Sequence, residues 1–150
     1  MTSQSKSRTL VVTRRFEHSQ ERVFDAWIDP ATARKFLFTM AGGEIIRADI
    51  DARPGGKFLF IDRRDTDEFK GDIEHVGEYL EIERPRRLVF TFGVPQFSPE
   101  MTRVTIEIVP AGSGCELTLT HEDVPPEWAE RTQEGWTMIL GALEKTLSAR

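Results

Sequence analysis

The sequence predicts one α+β domain: a curved antiparallel sheet of six to seven strands, two short helices after the first strand, and a long C-terminal helix laid across the sheet. Three observations carry that prediction. Residues 44–122 read as short runs of alternating polarity separated by Gly- and Pro-containing turns, the pattern of an antiparallel meander. Helical periodicity occurs in two places, just after residue 19 and beyond residue 126. Only the second is long enough to cover a sheet whose apolar face has to be buried.

The elements follow in order. Residues 1–8 are polar and rich in Ser and Lys, so a frayed tail is expected, with the domain spanning 9–150. In 9–16, Leu10, Val12, Arg14 and Phe16 share one face, the period of two of a strand. Ser19 is a fitting N-cap, Glu21 complements the helix dipole, and Val23, Phe24, Trp27 and Ile28 fall on one stripe. Asp29-Pro30 ends that helix and starts a second, expected over 30–36, because Asp caps well and Pro suits the first helical position. Strands are then expected over 44–51, 57–62, 71–82, 87–92, 102–109 and 115–122. The turn Arg53-Pro54-Gly55-Gly56 calls for a positive φ, which the sequence places at Gly56. Pro125-Pro126 stops the last strand. In the final helix Trp136, Ile139, Leu140, Leu143 and Leu147 form one apolar face. About 22 residues at 1.5 Å each give roughly 33 Å, the length of the sheet. Gly135 interrupts good helix formers there, and a close approach of the helix backbone to the sheet is the expected compensation.

Composition excludes several functions. With 20 basic against 25 acidic side chains the net charge is −5, a deficit of the cations a nucleic-acid binder needs. Arg63-Arg64 and the arginines of 84–87 read as solvated faces. A single cysteine, Cys115, allows neither an intrachain disulfide nor a cysteine metal cluster. The first ten residues hold no apolar run, and no run approaches the ~20 residues of a membrane helix. The expectation is a cytoplasmic protein with no nucleic-acid partner and no membrane span. Its three histidines, His18, His75 and His121, are widely spaced, so no metal is expected. No serine sits in a nucleophile elbow, and the paired glycines lack phosphate-loop spacing. Neither a cofactor nor a catalytic residue is assigned.

Several strings appear in a recognisable order: Arg22 to Trp27 followed by Asp29-Pro30, Asp51 to Gly56, Gly77 to Ile82, Arg87 to Phe92, Leu117 to His121, and Gly135-Trp136. Together they resemble the SRPBCC superfamily, also called START-like or helix-grip, whose best-known fold is that of the birch pollen allergen. Within it the chain is similar to the group named for homology to the activator of heat-shock-protein-90 ATPase. Where that group often has Trp, this chain has Phe36 in the second helix and Phe92 at the end of the fifth strand.

The resemblance implies a cavity between sheet and C-terminal helix, and with it the binding or carriage of a small apolar, lipid-like or aromatic molecule without catalysis. At the wide end of a sheet curved round a helix, side chains line instead of filling, and the candidates are Phe36, Phe58, Phe60, Phe90, Phe92, Phe97, Met101 and Trp136. Arg14, Tyr79 and His121 are its polar candidates, Arg14 and His121 because they share apolar phases. An alternative is an enzyme resembling the aromatic polyketide cyclases of the superfamily, with His121, Arg14, Tyr79 and Glu81 moving protons. A third reading is a chaperone-associated stress-response protein, which calls for an exposed patch in place of a cavity. The resemblance leaves room for a chaperone partner, and the sequence for a homodimer.

Overall fold

A computed structural model describes residues 7–38, 43–67, 70–97 and 100–149. In chain order these form β1 (Arg8–Phe16), α1 (Gln20–Ile28), α2 (Pro30–Ala33), β2 (Gly43–Ile50), β3 (Lys57–Asp65), β4 (Lys70–Glu83), β5 (Arg87–Phe92), β6 (Thr102–Ala111), β7 (Gly114–Val124) and α3 (Pro126–Ser148). Of the expected tail, 1–6 lies outside the described residues, and Arg8 already pairs with Val124. Strands β2 to β7 pair as an antiparallel meander, and β1 adds beside β7, giving the order β1-β7-β6-β5-β4-β3-β2. The architecture is the α+β arrangement that the periodicities imply, and the helix-grip fold that the resemblance implies. Among the described residues no helix is long and apolar enough to cross a membrane.

Local chemistry sets the helix ends. Ser19 Oγ accepts from Arg22 N at 3.1 Å, opening α1. Asp29 Oδ1 accepts from Ala31 N at 3.3 Å, opening α2 with Pro30 as its first residue. The second helix stops at Ala33, three residues short of the expected end. Consecutive helical residues rotate by about 100°, so Phe36, Leu37 and Phe38 could not all face the core from a helix. A turn at 34–36 instead lets all three bury.

Register decides the core. The pairs Phe60↔His75, Tyr79↔Phe90, Phe90↔Val104, Ile106↔Leu119 and Val104↔His121 put these side chains on the concave face. Helix α3 covers it with Trp136, Ile139, Leu140, Leu143 and Leu147, all buried, and α1 contributes Val23, Phe24 and Trp27. Each large apolar side chain so buried contributes about 1.5–3 kcal/mol. Arg84, in the β4–β5 turn, grips Asp25 of α1 through two bonds of 2.7 and 2.8 Å, fixing that helix against the sheet.

The glycine expectations are corrected. At the β2–β3 turn Gly55 has φ +86, and Gly56 is not among the positive-φ residues. What Gly56 supplies is room: a Cβ there would stand 2.0 Å from the Asp51 carbonyl oxygen. Gly135 shows the reverse. Nothing lies within 4 Å of a Cβ built on it, so no close approach to the sheet compensates its helix cost.

Candidate functional site

At one end of the concave face the sheet and α3 diverge. Deep in that end Phe58, Phe60, Tyr79 and Phe90 surround a void of only about 10 Å³, together with Trp27 and Phe38. That is room for about one water molecule, so the inner space is filled by aromatic side chains. Further out lies a half-open groove of about 560 Å³ between β3–β5 and α3, lined among others by Phe38, His75, Phe92, Phe97, Trp128 and Trp136. A smaller recess of about 140 Å³ adjoins it and shares Phe92, Phe97 and Trp128. Phe97 and Trp128 stack at 6.2 Å and 17° over the junction, both partly exposed, and the Arg131 guanidinium lies 5.8 Å from the Trp128 ring.

The sequence-nominated residues distribute unevenly over these spaces. Phe58, Phe60 and Phe90 line the inner void, and Phe92, Phe97 and Trp136 line the outer groove. Phe36 lies in the core against Trp27, rings edge-on at 5.2 Å, and lines neither space. Met101 is exposed, beside Gly93. Arg14 shares the expected strand phase, but its side chain reaches out to solvent, with the guanidinium 5.8 Å over the Phe16 ring. A lone guanidinium is too costly to bury, and a long stem lets it snorkel. Glu81 pairs with Arg87 at 3.1 Å, outside the groove. Tyr79 is buried beside the inner void, and burial pushes its phenol well above the usual range.

His121 is buried and its partners are defined. Trp136 Nε1 donates to Nδ1 at 2.9 Å, Nε2 meets Thr102 Oγ1 at 2.7 Å, and Thr102 Oγ1 donates to the Phe92 carbonyl at 2.9 Å. One hydrogen-bonded chain therefore links α3 to β7, β6 and β5. Burial pushes the imidazole pKa down to about 4, so the ring is neutral near pH 7. With both nitrogens engaged, it is a strut of the recess wall with no free position for a substrate.

Three polar residues of the concave face were missed by sequence reading. Arg64 was assigned to a solvated face; it turns inward instead, and its Nε donates to Asp62 Oδ2 at 2.6 Å while Arg63 stays outside with Asp72. Asp62 is fully buried, and its Oδ1 has no hydrogen-bond partner among the described residues. His75 is buried beside the groove, its Nδ1 also unpartnered among the described residues, and its pKa falls to about 4, first through burial and then through the charge of Arg64. The signal was present: Asp62 and Arg64 continue the phase of Phe58 and Phe60, and His75 that of Tyr79. Among the described residues no group of three or more His, Cys, Asp or Glu is placed to hold a metal ion.

Comparison with known proteins agrees with this fold. A family model described as "Activator of Hsp90 ATPase homolog 1-like protein" matches residues 17–148. Among solved structures, a protein of Chromobacterium violaceum is similar with a TM-score of 0.84 at 24% identity, covering 95% of this chain and 98% of that one. A protein of Nitrosomonas europaea gives 0.78 at 22%, covering 93% of each chain. The solution structure of an AHSA1-like protein from Aeromonas hydrophila gives 0.76 at 18%, covering 93% of this chain and 92% of that one. At these identities the likeness concerns the fold alone. No curated protein matches the chain.

Proposed function

The chain belongs to the Activator of Hsp90 ATPase homolog 1-like family, whose SRPBCC fold commonly binds ligands in a cavity, and from that premise we propose that it binds a small, largely apolar molecule, fatty-acid-like or aromatic, in the groove between the sheet and α3. The observation that carries this reading is the groove itself. Its 560 Å³ lies within the roughly 300–1,000 Å³ of small-molecule sites, and its wall is mostly apolar, with Phe38, Phe92, Phe97, Trp128 and Trp136 among its lining. The partly exposed Phe97 and Trp128 stand at its mouth, where a bound molecule would cover them. Binding without turnover fits the commitment of both His121 nitrogens to the scaffold, which removes the strongest acid–base candidate of the cyclase-like alternative.

The test is a panel of fatty acids and flat aromatic phenols in thermal unfolding and native mass spectrometry. A ligand at a hundred times its Kd stabilises the fold by about 2.7 kcal/mol. For a domain of this size that raises Tm by roughly 5–10 °C. A panel that neither shifts Tm nor leaves a retained mass overturns the reading.

A further inference from the structure

Phe38 occupies an unusual place. Its ring lies flat over His75, centroids 4.8 Å apart at 9°, and over Phe92, 5.0 Å apart at 12°. Those two rings are themselves side by side at 6.0 Å and 20°, forming a floor. Phe60 at 5.3 Å and 79°, and Trp136 at 6.1 Å and 62°, stand edge-on to Phe38 as walls. Phe38 also lines both the inner void and the outer groove, so its side chain is the partition between them. Its backbone is left-handed, φ +62, a conformation a bulky side chain rarely adopts. It follows the turn after α2, so its ring can move without unravelling a helix or strand. Two buried polar atoms nearby, Trp27 Nε1 and His75 Nδ1, have no hydrogen-bond partner among the described residues.

We propose that Phe38 is a tethered occupant of the ligand seat, and that a flat aromatic ring of the ligand displaces it to lie on the floor of His75 and Phe92. This rests on the binding reading above and narrows it from apolar molecules in general to those with a planar ring. The parallel floor and edge-on walls are the arrangement that favours a π-system over a saturated ring of equal size. A strained backbone at a clamp position is where such a switch is stored. While Phe38 fills the seat, the competent state is a fraction of the population, and apparent affinity falls by that fraction.

The experiment measures dissociation constants of 2-naphthol, its saturated analogue decahydro-2-naphthol, and decanoate for the wild type, Phe38→Ala and Phe92→Leu. Removing the plug is expected to tighten 2-naphthol on the order of tenfold, by removing the population penalty. The advantage of 2-naphthol over the saturated analogue is expected to shrink in Phe92→Leu, which lacks half the floor. If the wild type binds a probe but Phe38→Ala binds 2-naphthol no more tightly, the seat is overturned and the groove reading survives. If neither protein binds any of the three, both readings fall. Should Phe38→Ala not fold, NMR of the wild type with 2-naphthol decides. Ligand cross-peaks to the His75 and Phe92 rings support the seat, and cross-peaks confined to Phe97 and Trp128 overturn it.

Discussion

Trp136 of α3 reaches His121 of β7 through a bond of 2.9 Å whose direction is fixed, because an indole nitrogen only donates. His121 Nδ1 is therefore the acceptor, the proton of the neutral ring sits on Nε2, and Nε2 donates to Thr102 Oγ1. A second proton on the ring would point at the Trp136 N–H. The contact thus joins helix to sheet and keeps the imidazole neutral at once.

Trp136→Phe keeps an aromatic ring and removes the donor. It leaves a buried acceptor unpaired, at a cost of about 1–3 kcal/mol in urea unfolding. Trp136→Ala loses the packing as well, and about 3–5 kcal/mol is expected if the ring behaves as plain core. Because Trp136 also lines the groove, its loss should fall toward the low end of that interval, and ligand affinity should fall with it. Equal stability of the Phe variant and the wild type would show that the bond contributes nothing net.

The two buried imidazoles predict a pH dependence. Both His75 and His121 have pKa values of about 4 in the fold, against 6.5 for an ordinary imidazole. As pH falls, the unfolded chain takes up protons first, so stability is full above about 6.5, declines toward 4, and levels off below for these groups. Each accounts for on the order of 3 kcal/mol across that interval. Asp25 and Glu144, whose carboxyls are held below their usual values first by the hydrogen bonds of Arg84 and Ser148, act at lower pH. Urea midpoints measured between pH 7 and pH 5 should therefore fall. In His121→Gln, which can still donate toward Thr102, the slope should drop by about half. An unchanged slope would mean that His121 protonates freely in the fold.

The β2–β3 turn separates two reasons for a glycine. Gly55 has φ +86 and open space around it, so Gly55→Ala should cost about 1–2 kcal/mol of backbone strain. Gly56 has room for no Cβ against the Asp51 carbonyl, and its own carbonyl accepts from Tyr79 N at 2.8 Å, docking the turn on β4. Gly56→Val should cost more than Gly55→Ala, because backbone, not a flexible side chain, has to move. Urea midpoints of the two variants check the order.

Period-two and 3.6 patterns made nearly every element readable, since each strand and helix shows one apolar face to a common core. The concave polar residues were harder. Arg64 and Arg63 are neighbours in sequence, and only the phase carried from Phe60 says that Arg64 faces in. Phe38 was not nominated at all. It follows a helix expected to run to residue 36, and nothing in local periodicity announces a left-handed ring turned back into the sheet. The same limit explains Arg14: strand phase gives the face on which a side chain starts, and a long stem decides where its charge ends.

Gly135 carries the last prediction. It sits inside α3, one residue before Trp136, lines the outer groove, and has open space where a side chain would begin. An interior helical glycine costs about 0.5–1 kcal/mol relative to Ala, and no tight packing here offsets that. Keeping the groove wide is the consequence that remains. Gly135→Ala should therefore stabilise the domain by roughly that amount, measured by urea unfolding, while narrowing the groove slightly. Gly135→Leu should fold as well as the wild type and fill the space beside Trp136, so that 2-naphthol and decanoate both bind weakly or not at all. A Leu variant with unaltered affinity for every probe would place the ligand away from the Gly135 side of the groove, in the recess beneath Phe97 and Trp128.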